Sequence, residues 1–164
     1  MPASEYVQNL RAKVGPGLIM FPSVTAVVFN DRDEVLLHRR SDTGVWTLIA
    51  GMMDPGEQPA DAVVREVEEE TAVLVEIERL AGTALHEVTY LNGDHCHFVN
   101  IWFRCRAVSG EARVNDSESL AVEWFPLDAL PELNPFAQHR IRTSLEKDAP
   151  AWYAAPGEEV LPGM

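Results

Sequence analysis

Two periodicities alternate along the chain, one of strands and one of helices. Residues 18–29 are rich in β-branched and aromatic side chains around Pro22, which predicts a strand. Asn30-Asp31-Arg32-Asp33 is turn chemistry, and residues 34–39 predict a second strand, so the two are expected to form a hairpin. Ser41-Asp42-Thr43-Gly44 marks another turn before a short apolar strand over 45–50. The period then changes. Ala60, Val63, Val64 and Val67 fall at i, i+3, i+4 and i+7, the stripe of a core-facing helix over 59–71, with Pro59 suited to its first turn. Strand-like segments follow at 73–77, 82–90, 96–108 and 121–125, with a turn at Asn92-Gly93-Asp94. One helical turn is expected at 128–130 and a last helix at 137–146. A helix over 4–14, capped by Ser4 and ended by Gly15-Pro16-Gly17, precedes the strands. The tail over 148–164 carries three prolines and two glycines and reads as irregular. Many strands with a few helices between them predict an α+β fold, a mixed sheet with helices packed on it.

The length of 164 residues suits one compact domain spanning 1–164. A formal charge of −13 argues against a nucleic-acid polymer as partner, since backbone binding needs clustered Lys and Arg. It leaves room for a small anionic substrate, because a bound cation reverses the local charge. Cys96 and Cys105 lie nine residues apart in one strand and point to opposite faces, so no disulfide joins them. The residues from Met1 to Tyr6 lack the pattern of a signal peptide, and no apolar run has the length of a membrane span. A cytoplasmic protein without a membrane partner is the expectation.

The helix over 59–71 carries the chemistry. Glu66, Glu69 and Glu70 stand at i, i+3 and i+4 and cluster on one side. Like charges at this spacing repel, and a helix built only for solvation would alternate its signs. Clustered carboxylates suit a hard divalent cation, but three glutamates alone are also compatible with a solvated acidic face.

Their flanks decide between these readings. From Gly51 the chain reads Gly51, five residues, Glu57, seven residues, Arg65-Glu66-Val67, one residue, Glu69-Glu70, one residue, Ala72-Val73. This resembles the Nudix box of the MutT/Nudix hydrolases, over residues 51–73. Eight of the nine defined positions match, a coincidence on the order of 10⁻⁹ to 10⁻⁸ per start site with average residue usage. Ala72 stands where the family has its second glycine. The approach Leu48-Ile49-Ala50-Gly51 lacks the proline and one glycine of many relatives.

The resemblance implies a Nudix fold, a mixed sheet sandwiched between helices. It implies an Mg²⁺- or Mn²⁺-dependent hydrolase that cuts the diphosphate bridge of a nucleoside diphosphate linked to another moiety. ADP-ribose, nucleoside diphosphate sugars and nucleoside triphosphates are the substrate candidates. Glu66, Glu69 and Glu70 would be metal ligands, with the Ala50 carbonyl beside them. Glu57 and Arg65 would form the ion pair that holds the loop to the helix. A further loop acid is expected at Glu118, with Asp116 and Glu123 as competitors, and the general base is open among Glu66, Glu69 and Glu118. Arg39 and Arg40 are candidates for substrate phosphate and Trp46 for base stacking; Phe21 and Phe136 read as core. His95 and His97 share a strand face and read as a solvent-facing pair. A homodimer, as in many relatives, is open. The rival function is a non-catalytic Nudix-like domain that binds a nucleotide sugar and regulates; such domains lose box carboxylates, and none is lost here.

Overall fold

The computed structural model describes residues 5–90 and 92–158. The described residues form three helices and eight strands: α1 (Glu5–Val14), β1 (Ile19–Phe29), β2 (Val35–Arg40), β3 (Trp46–Thr47), β4 (Ile49–Met52), α2 (Pro59–Thr71), β5 (Leu74–Thr89), β6 (His95–Ser109), β7 (Ser119–Phe125), α3 (Pro135–Ser144) and β8 (Trp152–Tyr153). Ser4, expected to cap α1, lies outside the described residues. Among the described residues no helix is long and apolar enough to cross a membrane.

The sheet is mixed. Its order is β3-β2-β1-β6-β5-β8, with β4 added beside β1 and β7 beside β2. β1 and β6 run parallel over eleven registered pairs, from Ile19↔Cys96 to Phe29↔Arg106. Pro22 sits inside β1, opposite Val99, rather than breaking it. The expected β1–β2 hairpin is reduced to a single pair, Phe29↔Val35. Beyond it the strands part: β4 takes the edge of β1 from Ser23↔Met52 to Ala26↔Ile49, and β2 pairs with β7 instead. The segment over 45–50 therefore divides into β3 and β4, which serve different neighbours. The two strands expected over 73–90 are one, bent by three register shifts against β6. No helical turn forms at 128–130, where Ala129 closes a turn on Pro126. The tail contributes β8, parallel to β5 at Gly82 and Thr83.

Alternation along β1 builds two cores. Val24, Ala26 and Val28 face α2, where they meet Ala62, Val63 and Val67. Val27 and Phe29 face the other side, where Ala137 and Ile141 of α3 cover them with Trp102. α1 lays Val7 on Phe21 and Phe98, farther along that second face. The helices thus sandwich the sheet.

The buried stripe of α2 is rotated from the expected one. Ala60 is exposed, and the buried positions are Ala62, Val63, Glu66, Val67, Glu70 and Thr71. Small and β-branched side chains at 62, 63 and 67 fit closest to the sheet, and this rotation carries two glutamates into the protein.

α2 ends at Ala72 in the left-handed conformation, φ 59°, its N–H bonded to the Glu68 carbonyl. An L-residue with a Cβ is strained there. Ala72→Gly is expected to raise unfolding stability by about 1 kcal/mol in urea titration; an unchanged or lower midpoint would remove the claim of strain.

Candidate metal and catalytic site

The site is assembled where α2 crosses β4. Gly51 of β4 lies directly under the Glu66 carboxylate, and a Cβ on Gly51 would stand 2.0 Å from Glu66 Cδ and Oε1. Only a glycine leaves room for that carboxylate against the strand. Ala50 precedes it in β4, opposite Thr25 of β1, so its peptide joins the strand to the site.

Arg65 organises the carboxylates. Its Nε and Nη2 donate to the two oxygens of Glu57 at 2.8 and 3.0 Å, the side-on fork that matches a carboxylate. Nη1 donates to Glu66 Oε1 at 2.9 Å and to Glu69 Oε2 at 3.0 Å, and Nη2 also reaches the Met52 carbonyl at 3.3 Å. Glu57 in turn accepts the Asp54 N–H, so the loop before α2 is tied at both ends. The Arg65 hydrogen bonds hold Glu57 below the ordinary carboxylate range, and these carboxylates raise the Arg65 guanidinium.

Glu70 stands apart from this network. It is 3% exposed, and its Oε2 has no aligned hydrogen bond. His38 Nδ1 lies 3.0 Å away, but that nitrogen is engaged with Ser119 Oγ at 2.8 Å. Burial, with the charges of Glu66 and Asp116, pushes Glu70 up to about 8. Burial also raises Glu66, while burial and Arg40 hold His38 down to about 4, a neutral ring at pH 7.

The loop before β7 completes the site. Asn115 Nδ2 donates to the Glu68 and Glu69 carbonyls, both at 3.1 Å, its N–H reaches the Glu70 carbonyl, and the Arg113 N–H reaches Thr71. These bonds satisfy the carbonyls that a helix C-terminus leaves open. They also set Asp116 where its charge acts on both Glu70 and His38. Glu118 is half-buried, with its carbonyl accepting the Ser41 N–H. A cleft of about 550 Å³ opens beside the helix, lined by Asp61, Val64, Arg65, Glu68, Glu69 and Asn115. Another, of about 380 Å³ between α3 and the 127–133 loop, has no carboxylate in its lining.

The other candidates separate. Arg40 pairs side-on with Asp42 at 2.8 and 2.5 Å, and its charge acts on Glu70. Arg39 points elsewhere and donates to the Gly44 carbonyl at 2.8 Å. Trp46 packs edge-on against Phe125, ring centroids 4.9 Å apart. Phe21 is buried against Phe98, and His97 faces Glu87 at 3.5 Å. His38 and Ser119 carried no motif in the sequence; a histidine directly after the apolar run Val35-Leu36-Leu37 was the available signal.

Among the described residues no three His, Cys, Asp or Glu side chains converge as they stand in a way that holds an ion. The Arg65 guanidinium lies between Glu66 and Glu69 and answers their charge. The chemistry of the side chains nevertheless suits a hard cation: three carboxylates within one turn, two of them buried, and one oxygen without an aligned hydrogen bond.

The chain is similar to known proteins along most of its length. The NUDIX domain model matches residues 20–147. A MutT-like protein of Streptomyces ambofaciens is 33% identical over 141 residues, 85% of this chain and 86% of that protein. The NAD-capped RNA hydrolase NudC of Pseudomonas aeruginosa is 34% identical over 90% of this chain, which spans only 51% of that protein. The crystal structure of an ADP-ribose pyrophosphatase from Streptococcus suis superposes with a TM-score of 0.63 at 27% identity, over 81% of this chain and 96% of that one.

Two outcomes test the site. Gly51→Ala should displace the Glu66 carboxylate, a mobile side-chain end, more than it disturbs the strand. The variant is expected to fold, with turnover lower on the order of a hundredfold; full turnover would show that the contact is dispensable. Glu70 has its folded pKa above its ordinary 4.5, so the unfolded chain releases this proton first as pH rises. The metal-free fold therefore loses stability between about 4.5 and 8 on this group's account. Glu70→Gln, a mimic of the protonated acid, should flatten that loss and be more stable than the parent by over ~1 kcal/mol at pH 8 in urea titration with chelator present.

Proposed function

We propose that this chain, which belongs to the NUDIX domain family, is a pyrophosphohydrolase that uses Mg²⁺ or Mn²⁺ to cut the diphosphate bridge of a nucleoside diphosphate joined to a second group. One observation carries the reading: Glu66, Glu69 and Glu70 share one turn of α2, two of them buried, with an oxygen of Glu70 unpartnered. Buried polar oxygens are rarely left without a partner, and a cation is a partner that suits clustered carboxylates.

Glu66, Glu69 and Glu70 would hold the cation, with the Ala50 carbonyl as a further ligand. Bound there, the cation supplies positive charge for the phosphate oxygens and makes water more acidic. Arg65 holds Glu66 and Glu69 in register, and its pair with Glu57 keeps the loop closed on the helix. The proton of the attacking water passes to one carboxylate, either Glu66 or Glu69 on the helix or Glu118 in the loop. Asp116 competes with Glu118, supported by its charge coupling to Glu70. Arg40 offers a planar fork to a substrate phosphate, in exchange for Asp42. Arg39 and Trp46 would act farther out, if the substrate extends over β3.

The substrate reading favours a nucleoside diphosphate linked to a sugar or a second nucleoside over a triphosphate. The solved ADP-ribose pyrophosphatase and the NAD-capped RNA hydrolase support that order.

Purified protein given ADP-ribose, nucleoside diphosphate sugars and nucleoside triphosphates with Mg²⁺ or Mn²⁺ is expected to release a mononucleotide and a sugar phosphate from the first two. Pyrophosphate release from triphosphates alone would reassign the substrate. Glu69→Gln and Glu70→Gln should lose roughly 10²- to 10⁴-fold in turnover, and chelation should abolish it. Parental rates in both variants would overturn the assignment, and an inert protein on every substrate would favour a nucleotide-sugar-binding domain.

A further inference from the structure

Five buried side-chain atoms of the described residues lack a hydrogen-bond partner, and four of them lie on one helix. Glu70 Oε2 belongs to the site above. The others are Arg140 Nε and Nη2, His139 Nε2 and Ser144 Oγ, all on α3. α3 covers the sheet face opposite α2, so this group is separate from the carboxylates. Buried donors without partners are rare in native proteins, and a cluster of them calls for a cause.

Arg140 is the centre of the group. It is 7% exposed, with its guanidinium 4.6 Å from the Phe136 ring and 5.7 Å from the Trp102 ring. Ring faces compensate part of its charge. They do not satisfy Nε and Nη2, which together form the edge that grips two oxygens side-on. No carboxylate of the described residues offsets the charge, and burial alone pulls the group down to about 10. The surroundings provide no anion either. His86 stacks on Phe136 at 4.3 Å and is held neutral, down to about 4, by burial and by Arg140. His139 Nδ1 accepts from Arg142 Nη2 at 2.9 Å. Arginine has no acceptor, so the proton of a neutral His139 ring sits on Nε2, the unpartnered nitrogen. The free polar atoms are therefore three N–H donors and a hydroxyl, beside an uncompensated positive charge.

We propose that the inner face of α3 is a second ligand site, in which the Nε–Nη2 edge of Arg140 takes a phosphate group. A carboxylate would also fit the edge, but a phosphate brings the larger charge and more acceptor oxygens for an all-donor group. The phosphate comes either as free inorganic phosphate or on a mononucleotide. The site stands independently of the hydrolase reading, since it needs no metal and shares no residue with α2.

The test uses the full chain in chelator, so that the carboxylates hold no cation. Thermal shift and calorimetry are run with inorganic phosphate, with a mononucleotide and with acetate. The parent is expected to be stabilised by phosphate or by the mononucleotide and not by acetate; which of the two binds identifies the source. Arg140→Met keeps the stem and removes the donors and the charge. It should be at least as stable in plain buffer and lose affinity for the phosphate probe about tenfold or more. Arg140→Lys keeps the charge without the fork and should also lose affinity; it decides the matter if the Met variant does not fold. Glu70→Gln should respond to phosphate like the parent, which separates this result from any failure of the hydrolase assignment. The proposal is overturned if the arginine variants respond like the parent, if the parent responds to neither phosphate probe, or if acetate acts as well as phosphate.

Discussion

The placement of Glu57, Glu66 and Glu69 depends on where the Arg65 guanidinium is held. Three glutamates within one turn repel one another, and two of them lie out of water, where the repulsion is least screened. A single planar cation answers this by reaching Glu57 with one edge and Glu66 and Glu69 with its remaining nitrogen. The contribution to stability of such a half-buried network is small, since desolvation offsets much of the attraction. Its contribution to geometry is large. The fork with Glu57 fixes the loop, the reach to the Met52 carbonyl fixes β4, and β4 brings Gly51 under Glu66. Lysine could supply the charge but not the fork, and the loop would lose its second point of attachment.

The fork between β1 and β2 is the matching constraint at the level of the sheet. Had the two strands paired along their length, β4 would have had no edge to join. Because they separate after Phe29↔Val35, β4 lies along β1 while β2 carries His38 toward Glu70. The loop before β7 then reaches the C-terminal turn of α2, since β7 pairs along β2. The divergence of one hairpin thus places three elements around the last two turns of α2.

This explains what was legible in the sequence. The bounds of α2, the Glu57–Arg65 pair and the strained exit at Ala72 depend on local chemistry and fixed spacing, and they read directly from residues 51–73. The parting of β1 and β2 depends on which distant strand offers a better partner. Turn residues at 30–33 cannot encode that, and so the hairpin was expected to be longer than it is. The helix stripe was misjudged by one position for a related reason. Counting apolar residues selects Ala60 and Val64 with Val63 and Val67, whereas packing on β1 buries Ala62 with Val63 and Val67, leaves Val64 partly buried and admits carboxylates between them. His38 and Ser119 lie 81 residues apart and meet only through the β2–β7 register, so no local pattern announces them.

Unsatisfied buried polar atoms give a criterion that sequence patterns cannot supply. The motif found Glu70 by its distance from Gly51, and the fold finds it again as an oxygen without a donor. The two are different kinds of observation on one residue. The second route needs no motif, and applied to the rest of the described chain it stops only at His139, Arg140 and Ser144. The polarity differs between the two places in a physically consistent way. On the α2 side the open atom is an acceptor, among carboxylates that call for a cation. On the α3 side the open nitrogens are donors, around a guanidinium that calls for an anion. A fold that resolves its polar groups elsewhere, including the triple answer of Glu78 to Arg104, Arg106 and Lys147, had the means to cover Arg140 with a carboxylate. Leaving it uncovered on a chain with twice as many acidic as basic residues, 26 against 13, is therefore a property of that site rather than a shortage of partners.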